Sequence, residues 1–267
     1  MLTVEQLHNA LSVLRARKPL VLSLTNQVTM DLMANSLLAL GAAPLMSNAF
    51  EEAGELLALS QALNINIGTL NSSFGQDALQ TAKLANADNI PVILDPVGAG
   101  ASQLRTFTAQ SLMPHVSIIR GNASEILALA DEINTTRGVD AEAEVRQATE
   151  VATRLTLNQR TIVVSGAVDF VTDGSEAFFL PFGSRLMTRV TGMGCTLTAV
   201  IAAFAGSGFS LYQAALYGTA YFGLCGMATE SKTLMPGTFR QLFIDQLYNP
   251  NWDLFARLID QNTIKEH

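Results

Sequence analysis

Short apolar runs alternate with segments of helical periodicity through the first two-thirds of this chain. The apolar runs have the length of strands, and the segments between them are long enough to form helices. Strands separated by helices favour a mostly parallel sheet with helices on both faces. The pattern predicts strands at residues 20–24, 43–47, 63–67, 91–94, 117–119 and 161–164, and helices at residues 1–17, 28–40, 51–61, 76–86, from about 123, and at 141–157.

Capping residues support the first two helices. Thr3 and Gln6 have the spacing of a capping box at the start of the first helix. Gly41 follows the second helix and is a suitable C-terminal cap. At 267 residues, the chain is expected to form one α/β domain over residues 1–267.

Two later apolar runs predict the edge of the sheet. The runs at residues 170–172 and 177–180 flank an Asp-Gly pair at 173–174, which indicates a hairpin and hence antiparallel strands. The remainder of the chain is mostly helical in pattern. The polar stretch at residues 131–142 is interpreted as a surface connection within the domain.

Composition excludes several classes of protein. Hydrophobic residues make up 49% of the chain and charged residues 15%, which favours a large core and argues against disorder. A net charge of −7 without a basic cluster argues against a nucleic-acid partner. Residues 190–229 carry no charge, but a Gly-Ser-Gly segment at 206–208 divides them. We therefore expect two buried helices there and no membrane span.

Cysteine and histidine residues form no recognisable metal or hydrolase motif, and the sequence contains no G-x-x-x-x-G-K-[ST] phosphate loop. Cys225 lies in apolar surroundings and is interpreted as a small core residue. The histidines His8, His115 and His267 lack the spacing of metal ligands and are expected at the surface. Since the N-terminal helix does not have the pattern of a secretory signal, we expect a reduced, cytoplasmic compartment.

Residues suited to ligand binding recur where the predicted strands end. In parallel sheets of this type, ligands bind beyond the carboxyl ends of the strands. We therefore expect a site at that edge of the sheet, formed by Asn26, Met46, Gly68, Asp95, Arg120 and Ser165.

The segment VTGMGCTLT at residues 190–198 places two glycines at the start of a long apolar helix. Glycine lets the backbone turn its N–H groups toward a ligand, and a helix N-terminus carries a partial positive charge. We interpret Gly192 and Gly194 as a turn that stabilises a phosphoryl group during its transfer. The same field is expected to lower the pKa of Cys195 toward neutrality. The alternative interpretation is a tight loop before a buried helix.

Two carboxylates and an arginine near the same edge suggest chemistry on a phosphate. Asp95 follows a buried strand and precedes a proline, so it is either a Mg²⁺ ligand or a turn carboxylate. Arg120 offers a fork of donors that suits phosphate oxygens. Glu125 either completes a capping box with Asn122 or organises water around the metal. Because the chain is anionic, metal assistance is expected for a phosphorylated substrate.

Several motifs, spread over most of the chain, together carry a family resemblance. They are Thr25-Asn26, ANSLLALGA at 34–42, NIGTL at 66–70, PVILDPVGAGA at 91–101, Arg105, RGNASEI at 120–126 and VTGMGC at 190–195. In this order they resemble the hydroxyethylthiazole kinase family, whose members have the ribokinase-like fold. The resemblance implies a three-layer α/β architecture with a mostly parallel central sheet and an antiparallel edge.

The resemblance also implies an activity and an assembly. The activity is transfer of the γ-phosphoryl group of ATP to the primary alcohol of 4-methyl-5-(2-hydroxyethyl)thiazole, a step in thiamine biosynthesis, with Mg²⁺ as cofactor. The assembly is a homotrimer with active sites at its subunit interfaces. By motif position, the implied thiazole-binding residues are Met46, Asn26, Gly68 and Gly192. The implied ATP-binding residues are Arg120, Ser165, Asp95 and Glu125, of which the two carboxylates also hold Mg²⁺, directly or through water.

One position departs from the wider superfamily. Cys195 stands where sugar kinases of this fold commonly carry a general-base aspartate. A thiol accepts the proton of an alcohol less readily than a carboxylate does. Phosphoryl transfer depends mainly on positioning and on charge neutralisation. We therefore expect that the turn at Gly192 and Gly194, with Mg²⁺, provides most of the rate and that Cys195 assists.

Two other functions are weighed against this one. The first is a related kinase for another small alcohol such as hydroxymethylpyrimidine, against which Met46 and residues 66–68 argue. The second is a nucleotide-linked metabolite sensor without catalysis. The presence of Asp95, Arg120 and Glu125 together argues against a sensor that has lost catalytic activity.

Overall fold

A mixed sheet lies at the centre of the computed structural model, which describes residues 2–71, 73–130, 141–157 and 159–263. Within these residues, the strands are β1 (Leu20–Leu24), β2 (Ala43–Met46), β3 (Ala62–Asn66), β4 (Val92–Asp95), β5 (Ile118–Asn122), β6 (Thr161–Ser165), β7 (Asp169–Thr172) and β8 (Ala177–Leu180). The helices are α1 (Val4–Arg17), α2 (Met30–Leu40), α3 (Ala53–Leu59), α4 (Phe74–Ala87), α5 (Gln103–Leu112), α6 (Ala123–Leu129), α7 (Ala141–Leu155), α8 (Met193–Gly206), α9 (Leu211–Glu230), α10 (Pro236–Tyr248) and α11 (Trp252–Thr263). Short 3₁₀ helices lie at Phe50–Glu52, Met113–His115 and Arg185–Arg189.

The sheet is parallel over most of its width. Its strand order is β2-β1-β3-β4-β5-β6-β7-β8. Strands β1 to β6 pair in parallel, whereas β7 pairs antiparallel with both β6 and β8. The mostly parallel sheet and the antiparallel edge predicted from the sequence are both confirmed.

Helices cover both faces of the sheet. Successive residues of a strand point to opposite faces, so Val21 packs into one hydrophobic cluster and Leu22 into the other. The cluster around Val21 is closed by α1, α2 and α8 to α11, and the cluster around Leu22 by α3 to α7. This burial on both faces explains why the strands are almost continuously apolar. The three-layer architecture is confirmed.

The local signals at the start of the chain and at the hairpin also agree with the structure. Gln6 donates its backbone N–H to Thr3 Oγ1 at 3.2 Å, and Thr3 donates its own to Gln6 Oε1 at 2.9 Å. Gly41 ends α2 with a left-handed φ of 108°. The predicted hairpin forms between β7 and β8. Most of the predicted surface connection at 131–142 lies outside the described residues.

Helix α5 is a difference from the sequence pattern, which predicts no helix between residues 91–94 and 117–119. Two of its large apolar residues point away from the core, because Leu104 is 60% exposed and Phe107 69% exposed. Its buried residues are Thr108, Ala109 and Leu112, so the apolar face is too narrow and too mixed to reveal the helix from the sequence. Its start does carry a signal, since the Ser102 side chain accepts a hydrogen bond from the Arg105 N–H at 3.3 Å.

The uncharged region forms α8 and α9, which are buried against the sheet. Among the described residues, no helix combines the length and apolarity needed to cross a membrane. Cys225 is fully buried in α9, as predicted for a core residue. His8 is exposed and its ring lies against Trp252, and His115 is half-buried beside the exposed Pro114. His267 lies outside the described residues.

Candidate active site

The carboxyl edge of the parallel sheet collects the predicted site residues. Each lies at or near the end of a different parallel strand: Asn26 after β1, Met46 at the end of β2, Gly68 after β3, Asp95 at the end of β4, Arg120 within β5 and Ser165 at the end of β6. Helix α8 packs against β1, β3 and β4, and its first turns lie at this edge, where Cys195 contacts Asn26 and Thr198 contacts Asp95. The edge therefore combines strand ends with a helix terminus, as the sequence predicts.

The turn at the start of α8 is open for a ligand. Gly192 caps the helix with φ of 92°, a left-handed conformation that glycine adopts at low cost. Thr196 makes the first intrahelical bond, from its N–H to the Gly192 carbonyl at 2.8 Å. In the described part of the chain, the N–H groups of Met193, Gly194 and Cys195 donate to no protein acceptor. They are free to bind an anion in the field of the helix.

Asp95 is a fully buried carboxylate with one oxygen bound and one free. Its Oδ2 accepts hydrogen bonds from Asn66 Nδ2 at 2.8 Å and from Thr198 Oγ1 at 3.0 Å. Its Oδ1 has no hydrogen-bond partner among the described residues and lies 3.8 Å from Arg120 Nη1. Burial raises the pKa of Asp95 to about 6, against the opposing effect of the Arg120 charge. The free oxygen is therefore charged at neutral pH and can take a cation or a bound water.

Arg120 and Ser165 form a pair above the helix turn. Arg120 Nε donates to Ser165 Oγ at 2.8 Å, which fixes the guanidinium plane. The guanidinium lies over Gly194, where an added Cβ would be 2.7 Å from Nη1. Glycine at this position therefore makes room for the Arg120 guanidinium beside the free N–H groups. The guanidinium and the N–H groups both favour binding of an anion.

Glu125 completes the capping box at the start of α6, whose N-cap residue is Asn122. Its Oε2 accepts the Asn122 N–H at 2.9 Å, and Asn122 Oδ1 accepts the Glu125 N–H at 2.9 Å. Its Oε1 accepts the N–H of Gly98 at 2.9 Å. The capping interpretation is confirmed, and the same carboxylate ties α6 to the glycine turn after β4.

The residues present fit a magnesium ion. Mg²⁺ uses few protein ligands and retains several waters. The orphaned Oδ1 of Asp95 provides one such ligand, and each oxygen of Glu125 keeps a lone pair for water. Within the described residues, no group of three or more His, Cys, Asp or Glu side chains is placed to hold a metal. This donor set suits a cation held largely by water and phosphate.

A second cluster forms around Asn26. Its Nδ2 donates to Asn66 Oδ1 at 2.8 Å and to Cys195 Sγ at 3.4 Å. Gly68 closes on this cluster, since an added Cβ would be 2.9 Å from Asn66 Oδ1 and 3.1 Å from Asn26 Cβ. The structure therefore places Asn26, Gly68 and Cys195 together, next to the start of α8.

Cys195 has a raised pKa, so the expected lowering toward neutrality is wrong. Burial is the main cause, and the nearby charge of Asp95 adds to it. The hydrogen bonds from Asn66 and Asn26 and the charge of Arg120 oppose the shift without cancelling it. The thiol is therefore neutral at physiological pH, because burial and the charge of Asp95 both disfavour the thiolate.

Met46 lies at the margin of the site. It ends β2, the edge strand of the sheet, where it pairs with Ser23 of β1. Its side chain is half-buried and packs against the cluster that α2 and α8 close. Strand β1 separates it from β3 and therefore from Asn66.

Four contact residues were not predicted as part of the site. Asn66 and Thr198 hold Asp95, Thr29 donates its N–H to Asn26 Oδ1 at 3.1 Å, and the Arg105 guanidinium binds the carbonyls of Ile67, Val97 and Gly68. A signal existed for Asn66, because a polar residue ends a strand that is otherwise mostly apolar. Thr198 also follows Gly194 by one helical turn, on the same helix face.

Comparison with known proteins identifies the family. The sequence model of the hydroxyethylthiazole kinase family matches residues 11–251. A protein of Chlamydia caviae named hydroxyethylthiazole kinase is 43% identical over 261 residues, which cover 97% of this chain and 100% of that relative. The structure of a hydroxyethylthiazole kinase from Pyrococcus horikoshii superposes with a TM-score of 0.86 at 35% identity, covering 94% of this chain and 95% of the other.

A more distant structure supports the fold alone. A ribokinase-like superfamily protein from Enterococcus faecalis superposes with a TM-score of 0.56 at 15% identity, covering 87% of this chain and 88% of the other. The ribokinase-like fold predicted from the motifs is thus confirmed. With a family match over most of its length and relatives of more than 40% identity, this chain belongs to the hydroxyethylthiazole kinase family.

Proposed function

We propose that this protein transfers the γ-phosphoryl group of ATP to the primary alcohol of 4-methyl-5-(2-hydroxyethyl)thiazole. The family match over residues 11–251 carries this conclusion. The site supports it with free N–H groups at the start of α8, a guanidinium above them and a buried carboxylate beside them. These are the groups that neutralise charge on a phosphoryl group in transfer.

The alcohol is proposed to bind in the cluster around Asn26. In this proposal, Asn26 and Gly68 line the alcohol pocket, and Gly192 lies at the border between that pocket and the helix turn. Support comes from Thr29, which contacts the position of Gly192 and also holds the Asn26 amide. Met46 is proposed to close the pocket from the edge strand. In this proposed arrangement, the hydroxyl of the alcohol lies beside Cys195 and the N-terminus of α8.

ATP is proposed to direct its phosphates toward the start of α8. Arg120 and Ser165 bind the phosphate chain, and the N–H groups of residues 193–195 receive the γ-phosphoryl oxygens. Asp95 and Glu125 would hold Mg²⁺, directly or through water. When bound, Mg²⁺ neutralises phosphate charge as a Lewis acid. The guanidinium and the helix terminus add fixed positive potential.

Assembly and location are further proposals from the family resemblance. We propose one kinase domain over residues 1–267, a homotrimer with active sites at subunit interfaces, and a cytoplasmic location. The edge position of Met46 supports an interfacial site, since that side of the pocket ends at an unpaired strand edge. Sedimentation of the purified protein tests the trimer.

A coupled assay of ADP release tests the activity directly. We expect turnover with ATP and the thiazole alcohol in the presence of Mg²⁺, and none with excess EDTA. Hydroxymethylpyrimidine in place of the thiazole alcohol is the matched control, and we expect a kcat/KM at least about 100-fold lower with it. Faster turnover of the pyrimidine would contradict the substrate assignment. Absence of ADP release with every alcohol would instead favour a sensor.

Cys195 is expected to assist the reaction without being essential. Because its thiol is neutral, Cys195→Ala should lower kcat by less than about 100-fold, below the usual contribution of a general base. Cys195→Asp should remain active, since a carboxylate accepts the proton more readily. Steady-state kinetics with both substrates measure these effects. Loss of all turnover in Cys195→Ala, with ATP and thiazole binding intact, would show that the thiol is required.

A further inference from the structure

Asn66 connects the two clusters of the site. It ends β3, its side chain is only 1% exposed, and its amide is bonded on both sides. Oδ1 accepts from Asn26 Nδ2 at 2.8 Å and from the Gly68 N–H at 2.9 Å. Nδ2 donates to Asp95 Oδ2 at 2.8 Å. One amide thus links the Asn26 cluster to the buried carboxylate.

Backbone donors determine the orientation of this amide. A backbone N–H can only donate, so the Asn66 atom that meets the Gly68 N–H must be the oxygen. The nitrogen then necessarily faces Asp95. By the same reasoning, the Thr29 N–H identifies the Asn26 oxygen, which leaves Asn26 Nδ2 toward Asn66 and Cys195.

The fixed orientation has consequences on both sides of Asn66. Toward β4, the Asn66 Nδ2 donates to Asp95 Oδ2, as the Thr198 hydroxyl also does, and this leaves Oδ1 of Asp95 as the free oxygen. Toward β1, it holds the Asn26 amide against the Cys195 sulfur and the turn at Gly68. A change at Asn66 would therefore loosen the carboxylate and the alcohol pocket at the same time.

We propose that Asn66 is a positioning residue for phosphoryl transfer, which keeps the alcohol pocket in register with the free oxygen of Asp95. This inference rests on the proposed function, because it concerns the geometry between the two substrates. Asn66 acts through Asn26, Gly68 and Asp95 and is not assigned a contact with either substrate. A misplacement of reacting groups by about 1 Å can lower the rate by about 100-fold.

Asn64 provides a matched control on the same strand. It lies two residues before Asn66 on β3, so its side chain is on the same face of the strand, and it is fully buried. Its Nδ2 donates to Ser23 Oγ at 3.3 Å and to Met33 Sδ at 3.5 Å, and neither partner belongs to the site. Asn64→Ala therefore reports the general effect of truncating a buried amide at this point of the sheet.

The test compares Asn66→Ala with Asn64→Ala in two measurements. In calorimetric titration of the thiazole alcohol into protein without ATP or Mg²⁺, Asn66→Ala should weaken binding by about 10-fold, and Asn64→Ala by less than about 3-fold. In steady-state assays, Asn66→Ala should also lower kcat by about 10- to 100-fold, whereas Asn64→Ala should keep kcat within about 3-fold. Asn66→Ser is the second variant if the alanine variant does not fold, since its smaller cavity admits a bridging water.

Equal effects of the two alanine variants on alcohol binding and on kcat would overturn the proposal and leave Asn66 a packing residue. Unchanged alcohol binding with reduced kcat in Asn66→Ala would also overturn it, because the link to the pocket would then be without effect. The unsubstituted protein separates this result from the proposed function. If it does not phosphorylate the thiazole alcohol, the proposed function fails; if it does, only the role of Asn66 is in question.

Discussion

Replacing Asp95 by asparagine is expected to lower kcat by at least about 100-fold while it stabilises the ligand-free protein at alkaline pH. An asparagine oxygen can still accept the hydrogen bonds from Asn66 and Thr198. The amide nitrogen then occupies the place of the free Oδ1, so the charge available to a cation is lost. Steady-state kinetics at saturating substrate and Mg²⁺ measure this loss.

The gain in stability follows from the raised pKa of Asp95. Burial raises this pKa from the ordinary 3.8 to about 6, so the folded protein binds the proton more tightly than the unfolded chain does. Stability from this group is therefore lost as pH rises between about 4 and 6, and the loss stays constant above that window. The substituted amide carries no charge, so Asp95→Asn should be more stable than the unsubstituted protein by about 1–3 kcal/mol at pH 8.

Denaturant unfolding in EDTA at two pH values tests this sign. The stabilising effect of Asp95→Asn should be full at pH 8 and small near pH 4, where Asp95 is almost fully protonated in the folded protein and about half protonated in the unfolded chain. Asp260→Asn, at an exposed position on α11, is the control and should change stability by less than about 0.5 kcal/mol at either pH. The assignment of a buried charge would be contradicted if the stability difference between Asp95→Asn and the unsubstituted protein did not become more favourable to the variant from pH 4 to pH 8.

Gly192→Ala is expected to lower kcat/KM by about 10- to 100-fold with a moderate loss of stability. Gly192 has φ of 92°, where a side chain is strained, and an added Cβ would be 2.7 Å from Thr29 Cγ2. Relief of this contact displaces either Thr29, which holds the Asn26 amide, or the N-terminus of α8. Either movement changes the place where both substrates are proposed to meet.

Gly208→Ala is the matched control at the other end of α8. Its φ of 82° imposes a similar backbone strain, and its added Cβ would meet the flexible end of Arg17 at 2.9 Å. Both variants should lose about 1–3 kcal/mol of stability, measured by denaturant unfolding. Only Gly192→Ala should lose activity, and equal kcat/KM values for the two variants would show that the turn at Gly192 has no catalytic importance.

The parallel strands were predictable because their signal is local. A strand buried on both faces is nearly continuous in apolar residues, and six such runs appear in order along the chain. Helix α5 was not predictable in this way, since Leu104 and Phe107 are exposed and only Leu112 among its large apolar residues is buried in the core. Its capping residue Ser102 was the remaining local signal.

The α/β architecture, the edge at which polar residues gather and the family could all be obtained from the amino-acid order, because they follow from local periodicity and from motifs in a fixed sequence. The chemical state of the site required the folded chain. Thr198 reaches Asp95 across 103 residues, and Asn26 reaches Cys195 across 169. Burial and charges contributed by residues far apart in the sequence raise the pKa values of Asp95 and Cys195. The hydrogen bond from Asn66 to Asp95 likewise joins residues of two different strands. Desolvation depends on everything that surrounds a group, and that environment exists only once the chain has folded.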